Sequence, residues 1–251
     1  MREMVLSSRS VHTGNLILVN EKHPIAGEMR FSCVPVDGRH PGILLHTRAS
    51  SCLAQLLKEI RSEGKIVPVS GYRPKAEQEQ IFKDSVAENG WEFTRKYVAL
   101  PDHSEHQTGL AIDLGLDQEN IDFIRPEFPY DGVGGEFRKR AARYGFVERY
   151  PEGKEDVTGI GGEPWHFRYV GYPHSEIMEG QGLCLEEYTE FIKNYPYGGK
   201  HLRTGDSRKE IEIFYVPDEE TGNLSVTVAD NAIAESSGNN VDGWVVTLWR
   251  Q

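Results

Sequence analysis

The strongest constraint on this chain is a ten-residue motif, Ser-x-His-x-x-Gly-x-Ala-x-Asp, which spans residues 104–113. Its histidine and aspartate, His106 and Asp113, are seven residues apart, whereas neighbours on a helix face recur at three and four. Every second residue from Leu110 onward is apolar, which predicts a short strand with Asp113 on its other face. We therefore expect a loop that enters a strand, with Gly109 supplying the bend that brings His106 beside Asp113.

Imidazole nitrogens and carboxylate oxygens are typical zinc ligands, so His106 and Asp113 form an incomplete zinc site. The predicted third ligand is His166, which ends the segment Glu-Pro-Trp-His at 163–166. Three protein ligands leave one position for water, which is typical of a catalytic zinc. Glu163 lies three residues before His166, where its carboxylate can take a proton from that water and return it to a leaving amine. The prediction is one Zn²⁺ per chain, with Glu163 as general acid/base.

Each half of this pattern also has an ordinary structural explanation. A single histidine is most often a surface or core residue, and an aspartate in a loop usually forms a turn or a helix cap. The residue types and their order together favour a metal site over these alternatives.

Three blocks of the sequence resemble the zinc D,D-peptidases of the VanX, VanY and VanXY type. They are the motif at 104–113, the Glu-x-Trp-His segment at 163–166, and Ser-Gly-Tyr-Arg at 70–73 followed five residues later by Gln78. The bifunctional VanXY subgroup is the most similar. The resemblance implies hydrolysis of the dipeptide D-Ala-D-Ala and of the terminal D-Ala of muramyl-pentapeptide precursors of peptidoglycan. It therefore implies an association with vancomycin and other glycopeptide resistance.

The resemblance also assigns roles to residues around the predicted zinc. A guanidinium in a dry site can stabilise the oxyanion of the tetrahedral intermediate or the terminal carboxylate of the substrate. The resemblance supports such a role for Arg73, and we predict that it stabilises the oxyanion. The resemblance implies that Ser104 and Gln78 hold the substrate carboxylate. Without the resemblance, a surface salt bridge and a solvated helix face are the simpler explanations of Arg73 and Gln78. Trp165 is predicted to shield or orient the substrate, although a structural role fits equally well, and His103 is predicted to be a rim residue.

The rest of the chain predicts an α+β fold, in which a mixed or antiparallel sheet with flanking helices forms a zinc cleft. The predicted domains are a catalytic domain over 1–198 and a small β-rich appendage of unknown role over 203–251. Predicted elements of the catalytic domain include strands at 16–20, 66–69 and 146–147, helices at 48–63, 74–83 and 136–144, and a flexible segment at 132–135. Alternation predicts strands of the appendage at 210–216, 223–228 and 243–249.

Charge and cysteine content narrow the partners and the compartment. The net charge of −11 disfavours nucleic acid and anionic membrane surfaces, which attract basic patches. Cys33, Cys52 and Cys184 are widely spaced, which predicts thiols in a reducing compartment and neither a disulfide framework nor a cysteine zinc site. No apolar run is long enough for a signal peptide or a spanning helix, so a cytoplasmic enzyme is predicted. The oligomeric state stays open, with a dimer as one alternative.

Two other functions remain open at this point. One is an endolysin-like peptidase that cuts the L-alanyl-D-glutamate bond, which a substrate panel distinguishes. The other is a non-catalytic zinc-containing protein that binds wall peptides. Glu163 argues against the second alternative, because a binding protein needs no base beside its metal.

Overall fold

The structure is a computed structural model that describes residues 1–26, 31–62, 64–206, 209–219 and 222–250. Contacts within the chain divide it into two compact units. The central unit comprises Val19–Pro24 and Glu28–Cys184. The terminal unit comprises Met1–Leu18, Ile25–Gly27 and Leu185–Gln251, so it draws on both ends of the chain.

Strands and helices are interspersed up to residue 192, and the last five strands then follow one another without a helix between them. The strands are β1 Arg2–Leu6, β2 Cys33–Pro35, β3 Leu44–His46, β4 Ile66–Ser70, β5 Ala111–Leu116, β6 Phe146–Glu148, β7 His166–Tyr169, β8 Leu202–Asp206, β9 Lys209–Pro217, β10 Leu224–Val228, β11 Ile233–Gly238 and β12 Gly243–Arg250. The α-helices are α1 Thr47–Glu59, α2 Lys75–Asn89, α3 Trp91–Tyr97, α4 Gly132–Ala141, α5 Glu155–Thr158, α6 His174–Gln181 and α7 Leu185–Ile192. No helix in the described part of the chain has the length and apolar character needed to cross a bilayer.

A four-stranded antiparallel sheet, in the order β4-β5-β7-β6, organises the central unit. Both faces of β5 are buried: Leu110, Ile112 and Leu114 lie in the core, and the intervening Ala111 and Asp113 are buried too. The strand pairing then sets Asp113 of β5 directly opposite His166 of β7. Helices flank this sheet, which confirms the predicted α+β class.

Three local predictions for the central unit need correction. Helix α1 ends at Glu59, short of the predicted residue 63, and Arg61 adopts a left-handed φ of 51°. The segment at 132–135, predicted to be flexible, is the first turn of α4. A Cβ on Gly134 would lie 2.3 Å from the Pro129 carbonyl oxygen, so the glycine permits close packing there. The predicted helix over 74–83 continues to Asn89.

The predicted strand at 16–20 does not form. Leu16, Ile17 and Leu18 are buried, as their apolar character predicts. Their backbone bonds go to a loop and a side chain instead of a ladder: Leu18 N donates to Asn239 O at 2.9 Å, and Leu16 N donates to Ser237 Oγ at 2.9 Å. The continuous apolar run at 16–19 therefore indicates burial correctly but does not indicate strand pairing.

The terminal unit contains a four-stranded sheet, β11-β12-β9-β8, and a two-stranded sheet of β1 and β10. The three strands predicted for the tail correspond to β9, β10 and β12, whereas the polar strands β8 and β11 were missed. Its core forms around the fully buried Trp244, with Phe214, Val226 and Leu6 in the same cluster. Because β1 pairs with β10, the first residues belong to this unit, and the division differs from the predicted domains 1–198 and 203–251.

Candidate metal centre

Three side chains that the sequence identifies as zinc ligands meet on the central sheet. Asp113 and His166 are cross-strand neighbours on β5 and β7. His106 lies in a single 3₁₀ turn, Glu105–Thr108, which ends at Gly109 with a left-handed φ of 68°. A Cβ at Gly109 would also lie 2.8 Å from Cys33 Sγ, so both the bend and the packing favour glycine. The chain thus returns His106 to Asp113 as predicted.

The three predicted ligands are buried and close enough to bind one ion. One ligand atom from each of His106, Asp113 and His166 lies within 4.8 Å of the others. His106 Nε2 is 3.0 Å from Asp113 Oδ2, and His166 Nδ1 is 2.9 Å from Asp113 Oδ1. The carboxylate therefore stands between the two imidazoles, with one oxygen toward each.

The orientation of His106 shows that this arrangement suits a cation. Its Nδ1 lies 2.7 Å from the Gly71 carbonyl oxygen, which can only accept a hydrogen bond, so Nδ1 carries the proton. In neutral His106 the lone pair of Nε2 then faces the Asp113 carboxylate, and two electron-rich atoms oppose each other. A metal ion between them resolves this repulsion, and the outer hydrogen bond to Gly71 orients the ring as is usual for metal-binding histidines.

The donor set fits zinc by the same reasoning. Asp113 Oδ1 is buried and, within the described residues, has no partner that meets hydrogen-bond geometry, even though His166 Nδ1 is close. Two imidazole nitrogens and one carboxylate oxygen are a typical catalytic zinc set. We infer that His106, Asp113 and His166 hold the ion.

Charge distributes unequally over the two histidines. Burial and the nearby Arg73 guanidinium lower the pKa of His106 to about 4. Burial also acts to lower the pKa of His166, but its contacts with Asp113 and Glu105 outweigh burial and raise that pKa to about 9. Burial opposes ionisation of Asp113 as well, yet its two histidine neighbours hold the pKa of this carboxyl far below its usual range.

Glu163 lies beside the ligand set, where the sequence predicts the general acid/base. Its Oε2 is 3.7 Å from His166 Nδ1, and its side chain is almost fully buried. Burial, with a smaller contribution from the Asp113 carboxylate, raises the pKa of Glu163 to about 8. A bound dication would act in the opposite direction, because a nearby positive charge favours the carboxylate form. A carboxyl group balanced in this way can both accept and return a proton near neutral pH.

One cleft of the central unit is lined by all eight predicted site residues, which are Arg73, Gln78, Ser104, His106, Asp113, Glu163, Trp165 and His166. The remaining wall of the cleft includes the apolar Ile81, Val98 and Ile160. The three sequence blocks, although distant along the chain, therefore converge on a single concave surface. Such convergence of polar groups in one cleft is typical of an active site.

Arg73 and Gln78 contact each other at the edge of the ligand set. Arg73 Nη1 donates to Gln78 Oε1 at 3.0 Å, and Nη2 donates to Asp113 Oδ2 at 3.2 Å. Gln78 Nε2 donates to the Ala99 carbonyl at 2.8 Å. Gln78 thus orients Arg73, a contact that the sequence did not predict, and its predicted role as a donor to the substrate carboxylate stays a prediction.

Ser104 and Trp165 also line the cleft, and both are buried. Their predicted contacts with substrate stay predictions. His103 lies outside the group of three potential ligands within the described residues, and its Nδ1 is 2.8 Å from the Asn20 carbonyl oxygen.

A buried ion cluster behind His166 was not predicted. Glu105 Oε1 accepts hydrogen bonds from Arg149 Nε and from Arg168 Nη1, each at 2.7 Å. Its other oxygen, Oε2, lies 3.6 Å from His166 Nε2. The sequence shows two features that bear on this cluster. Glu105 occupies the variable position of Ser-x-His, next to one predicted ligand, and Arg168 shares a strand face with another predicted ligand, His166. Nothing in the spacing linked the two.

A buried set of three potential metal ligands on and beside an antiparallel sheet, with a carboxylate next to it, is typical of a zinc metallopeptidase. A family model described as "VanY: D-alanyl-D-alanine carboxypeptidase" matches residues 42–172. This range contains every predicted site residue. The chain belongs to the VanY family.

Individual relatives extend this similarity. The bifunctional D-Ala-D-Ala dipeptidase and D-Ala-D-Ala carboxypeptidase VanXYC of Enterococcus gallinarum is 39% identical over 181 residues, 70% of this chain and 94% of that protein. The crystal structure of the vancomycin resistance D,D-dipeptidase VanXYg, in complex with a D-Ala-D-Ala phosphinate analogue, superposes with a TM-score of 0.96 at 49% identity, covering 99% of both chains. A VanY D,D-pentapeptidase from a VanB-type resistance cassette, solved with Zn(II), has a TM-score of 0.57 at 33% identity, covering 70% of this chain and 98% of that one.

Proposed function

We propose that this chain is a zinc-dependent D,D-peptidase that hydrolyses D-Ala-D-Ala and removes the terminal D-Ala of the peptidoglycan precursor pentapeptide. By this activity it would contribute to vancomycin resistance. The names of the relatives support the substrate class, and similarity over 99% of the chain to a D,D-dipeptidase supports the bond that is cut. The endolysin-like and the non-catalytic binding alternatives have no comparable support.

One observation supports a hydrolytic function most directly: Glu163 and the three potential metal ligands line the same buried cleft. Zinc, when bound, supplies Lewis acidity that polarises an amide carbonyl and makes water more acidic. In our proposal, His106 Nε2, Asp113 and His166 Nδ1 hold the ion, and Glu163 takes the proton of the attacking water at its carboxylate. Glu163 then transfers that proton to the leaving amine of D-Ala.

Arg73 completes the proposed machinery. Its guanidinium lines the same cleft and is held by Gln78 and Asp113. A planar guanidinium that is fixed before substrate arrives can stabilise negative charge on the attacked carbonyl oxygen without further reorganisation. We propose this role for Arg73, with Ser104 and Gln78 near the terminal carboxylate of the substrate and Trp165 covering it.

The function is tested by measuring released D-Ala after incubation of the zinc-loaded protein with D-Ala-D-Ala, with UDP-muramyl-pentapeptide and with an L-alanyl-D-glutamate peptide. We expect release from the first two substrates and loss of both activities with a chelator. Release from one substrate alone would restrict the enzyme to the dipeptidase or the carboxypeptidase reaction. Cleavage of the third substrate alone would establish the endolysin-like alternative, and binding without cleavage the non-catalytic one.

We also propose that the enzyme acts in the cytoplasm. All three cysteines lie in the described part of the chain and no disulfide joins them, which is usual for proteins of reducing compartments. Fractionation of producing cells, followed by an assay of chelator-sensitive D-Ala release, tests this location. Activity recovered mainly from membranes or from the culture medium would contradict it.

A further inference from the structure

The buried ion cluster behind His166 holds three charged side chains away from solvent. The side chains of Glu105, Arg149 and Arg168 are all fully inaccessible to solvent. Taking three charges out of water is costly, and apolar residues of similar size often fill such a position at no loss of stability. A cluster of this kind at the wall of an active-site cleft is therefore a candidate for a functional role.

The cluster is oriented toward the His166 ring. Both arginines donate to the same oxygen of Glu105, Oε1, at 2.7 Å. The other oxygen, Oε2, faces His166 Nε2 at a distance of 3.6 Å. Both of these atoms are buried and have no hydrogen-bond partner in the described part of the chain. The opposite ring nitrogen, Nδ1, faces Asp113. The imidazole is thus placed between a metal ligand on one side and an anionic oxygen on the other.

The fold builds this contact from residues that already belong to the site. Glu105 immediately precedes His106, so one 3₁₀ turn supplies both a metal ligand and the neighbour of another. Arg168 is two residues beyond His166 on β7, and Arg149 N donates to the His166 carbonyl at 3.1 Å. Any rotation of the His166 ring would therefore occur against side chains held by β7, by the 3₁₀ turn and by the residue that follows β6.

We propose that Glu105, held by Arg149 and Arg168, is the positioning residue that fixes the His166 ring and its Nε2–H tautomer, so that Nδ1 is the zinc ligand. The inference rests on the proposed zinc site. His106 has the equivalent support from a neutral carbonyl, Gly71 O. The two histidines thus differ in their outer partners, one neutral and one anionic. An anionic partner increases the basicity of a ligand histidine, and loss of such partners typically lowers metal affinity about 10–100-fold.

The test compares zinc affinity, measured by chelator competition without substrate, in wild type, Glu105→Asp and Glu212→Asp. The shorter aspartate keeps the charge for both arginines but cannot also reach His166. Glu212 is the matched control, because it is a buried glutamate of the terminal unit that also contacts a histidine, His201, at 2.6 Å and an arginine, Arg250, at 2.5 Å. We expect zinc dissociation constants about 10–100-fold higher in Glu105→Asp and unchanged in Glu212→Asp. Wild-type zinc affinity in folded Glu105→Asp would overturn the proposal.

A second measurement needs no variant, so it decides the matter even if Glu105→Asp does not fold. Nitrogen chemical shifts of ¹⁵N-labelled histidine in the zinc-loaded wild-type protein report which ring nitrogen of His166 carries the proton. We expect a proton on Nε2 in slow exchange with solvent and metal on Nδ1. A proton on Nδ1 would refute the proposal. Failure of the proposed reaction is distinguishable, since zinc affinity and tautomer are both measured without substrate.

Discussion

Glu105 of the central unit and Glu212 of the terminal unit are both buried beside a histidine and two arginines, in very different surroundings. The arginines that contact Glu105 have 0% side-chain exposure, whereas Arg203 and Arg250 near Glu212 are 58% and 32% exposed. Solvent-screened pairs contribute little, while fully buried charges are costly unless each is matched. The two clusters share their residue types, so the difference between them comes from how far the arginines are exposed to solvent.

The contrast extends to whole units. Glu212 is the only buried acidic or basic side chain in the described part of the terminal unit, whose core is the apolar cluster around Trp244. The central unit buries both signs of charge around one cleft, including Arg73, Asp113 and Glu163. We therefore expect substitutions in the central unit to change catalysis more than stability, and substitutions in the terminal unit to change stability more than catalysis.

The largest effect is expected for Glu163→Gln, which removes the proposed proton carrier and nearly preserves its shape. We expect kcat for D-Ala release to fall about 10²–10⁴-fold, because positioned general acid/base groups typically contribute that much. Zinc content and thermal stability should be retained, since the variant removes a buried carboxyl group and no ligand. Exposed Glu119→Gln is the control. Undiminished turnover in Glu163→Gln would remove Glu163 from the mechanism.

Trp244→Ala provides the converse case. Trp244 is fully buried, and its truncation should lower the free energy of unfolding of the terminal unit by about 3–5 kcal/mol. Urea unfolding followed by circular dichroism measures this change. Turnover per folded molecule at low temperature should be unaffected. A catalytic defect as large as that of Glu163→Gln would abolish the distinction between the units.

Arg73→Lys tests whether the geometry of the guanidinium matters or only its charge. A lysine cannot contact Gln78 and Asp113 in the planar arrangement of the arginine, so we expect kcat to fall about 10²–10³-fold, as for loss of an oxyanion donor. Steady-state kinetics with D-Ala-D-Ala separates this from a change in KM alone. Exposed Arg143→Lys should behave as wild type. A change restricted to KM would reassign Arg73 to binding of the substrate carboxylate.

The smallest effect is expected for Ser10→Ala, which tests whether the first residues of the chain help to stabilise the terminal unit. Ser10 Oγ accepts a hydrogen bond from Trp244 Nε1 at 2.9 Å. Its loss leaves a buried N–H unpaired, which costs about 1–3 kcal/mol. Thermal melting should report this loss, and a matched Ser51→Ala change in α1 of the central unit, at an exposed position, should not lower stability comparably. Unchanged stability of Ser10→Ala would argue against the contact between the first residues and Trp244.

Much of the site was predictable because its residues lie in short motifs. The bend at Gly109 and the alternation of β5 are local properties, so the meeting of His106 with Asp113 follows from a ten-residue window. The approach of His166 depends on the pairing of β5 with β7, which the sequence alone does not specify. There the resemblance to a known family replaced the missing long-range information.

The unpredicted parts depend on contacts between distant segments. Glu105, Arg149 and Arg168 lie on three separate segments of the chain, and each is an ordinary charged residue until the fold brings them together. Likewise, Arg2 pairs with Val228 in the terminal unit, and no local pattern joins the two ends of a chain. The polar strands β8 and β11 lack the apolar alternation that identifies a strand. They form the two edges of the sheet, and the buried apolar residues lie mainly on the strands between them, β9 and β12.

The most direct test of the proposed zinc site is the position of bound zinc, measured by anomalous diffraction at the zinc absorption edge from crystals of the zinc-loaded protein. We predict one peak per chain at about 2.0–2.2 Å from His106 Nε2, an Asp113 carboxylate oxygen and His166 Nδ1. A peak at other residues, or one bound through His166 Nε2, would contradict it.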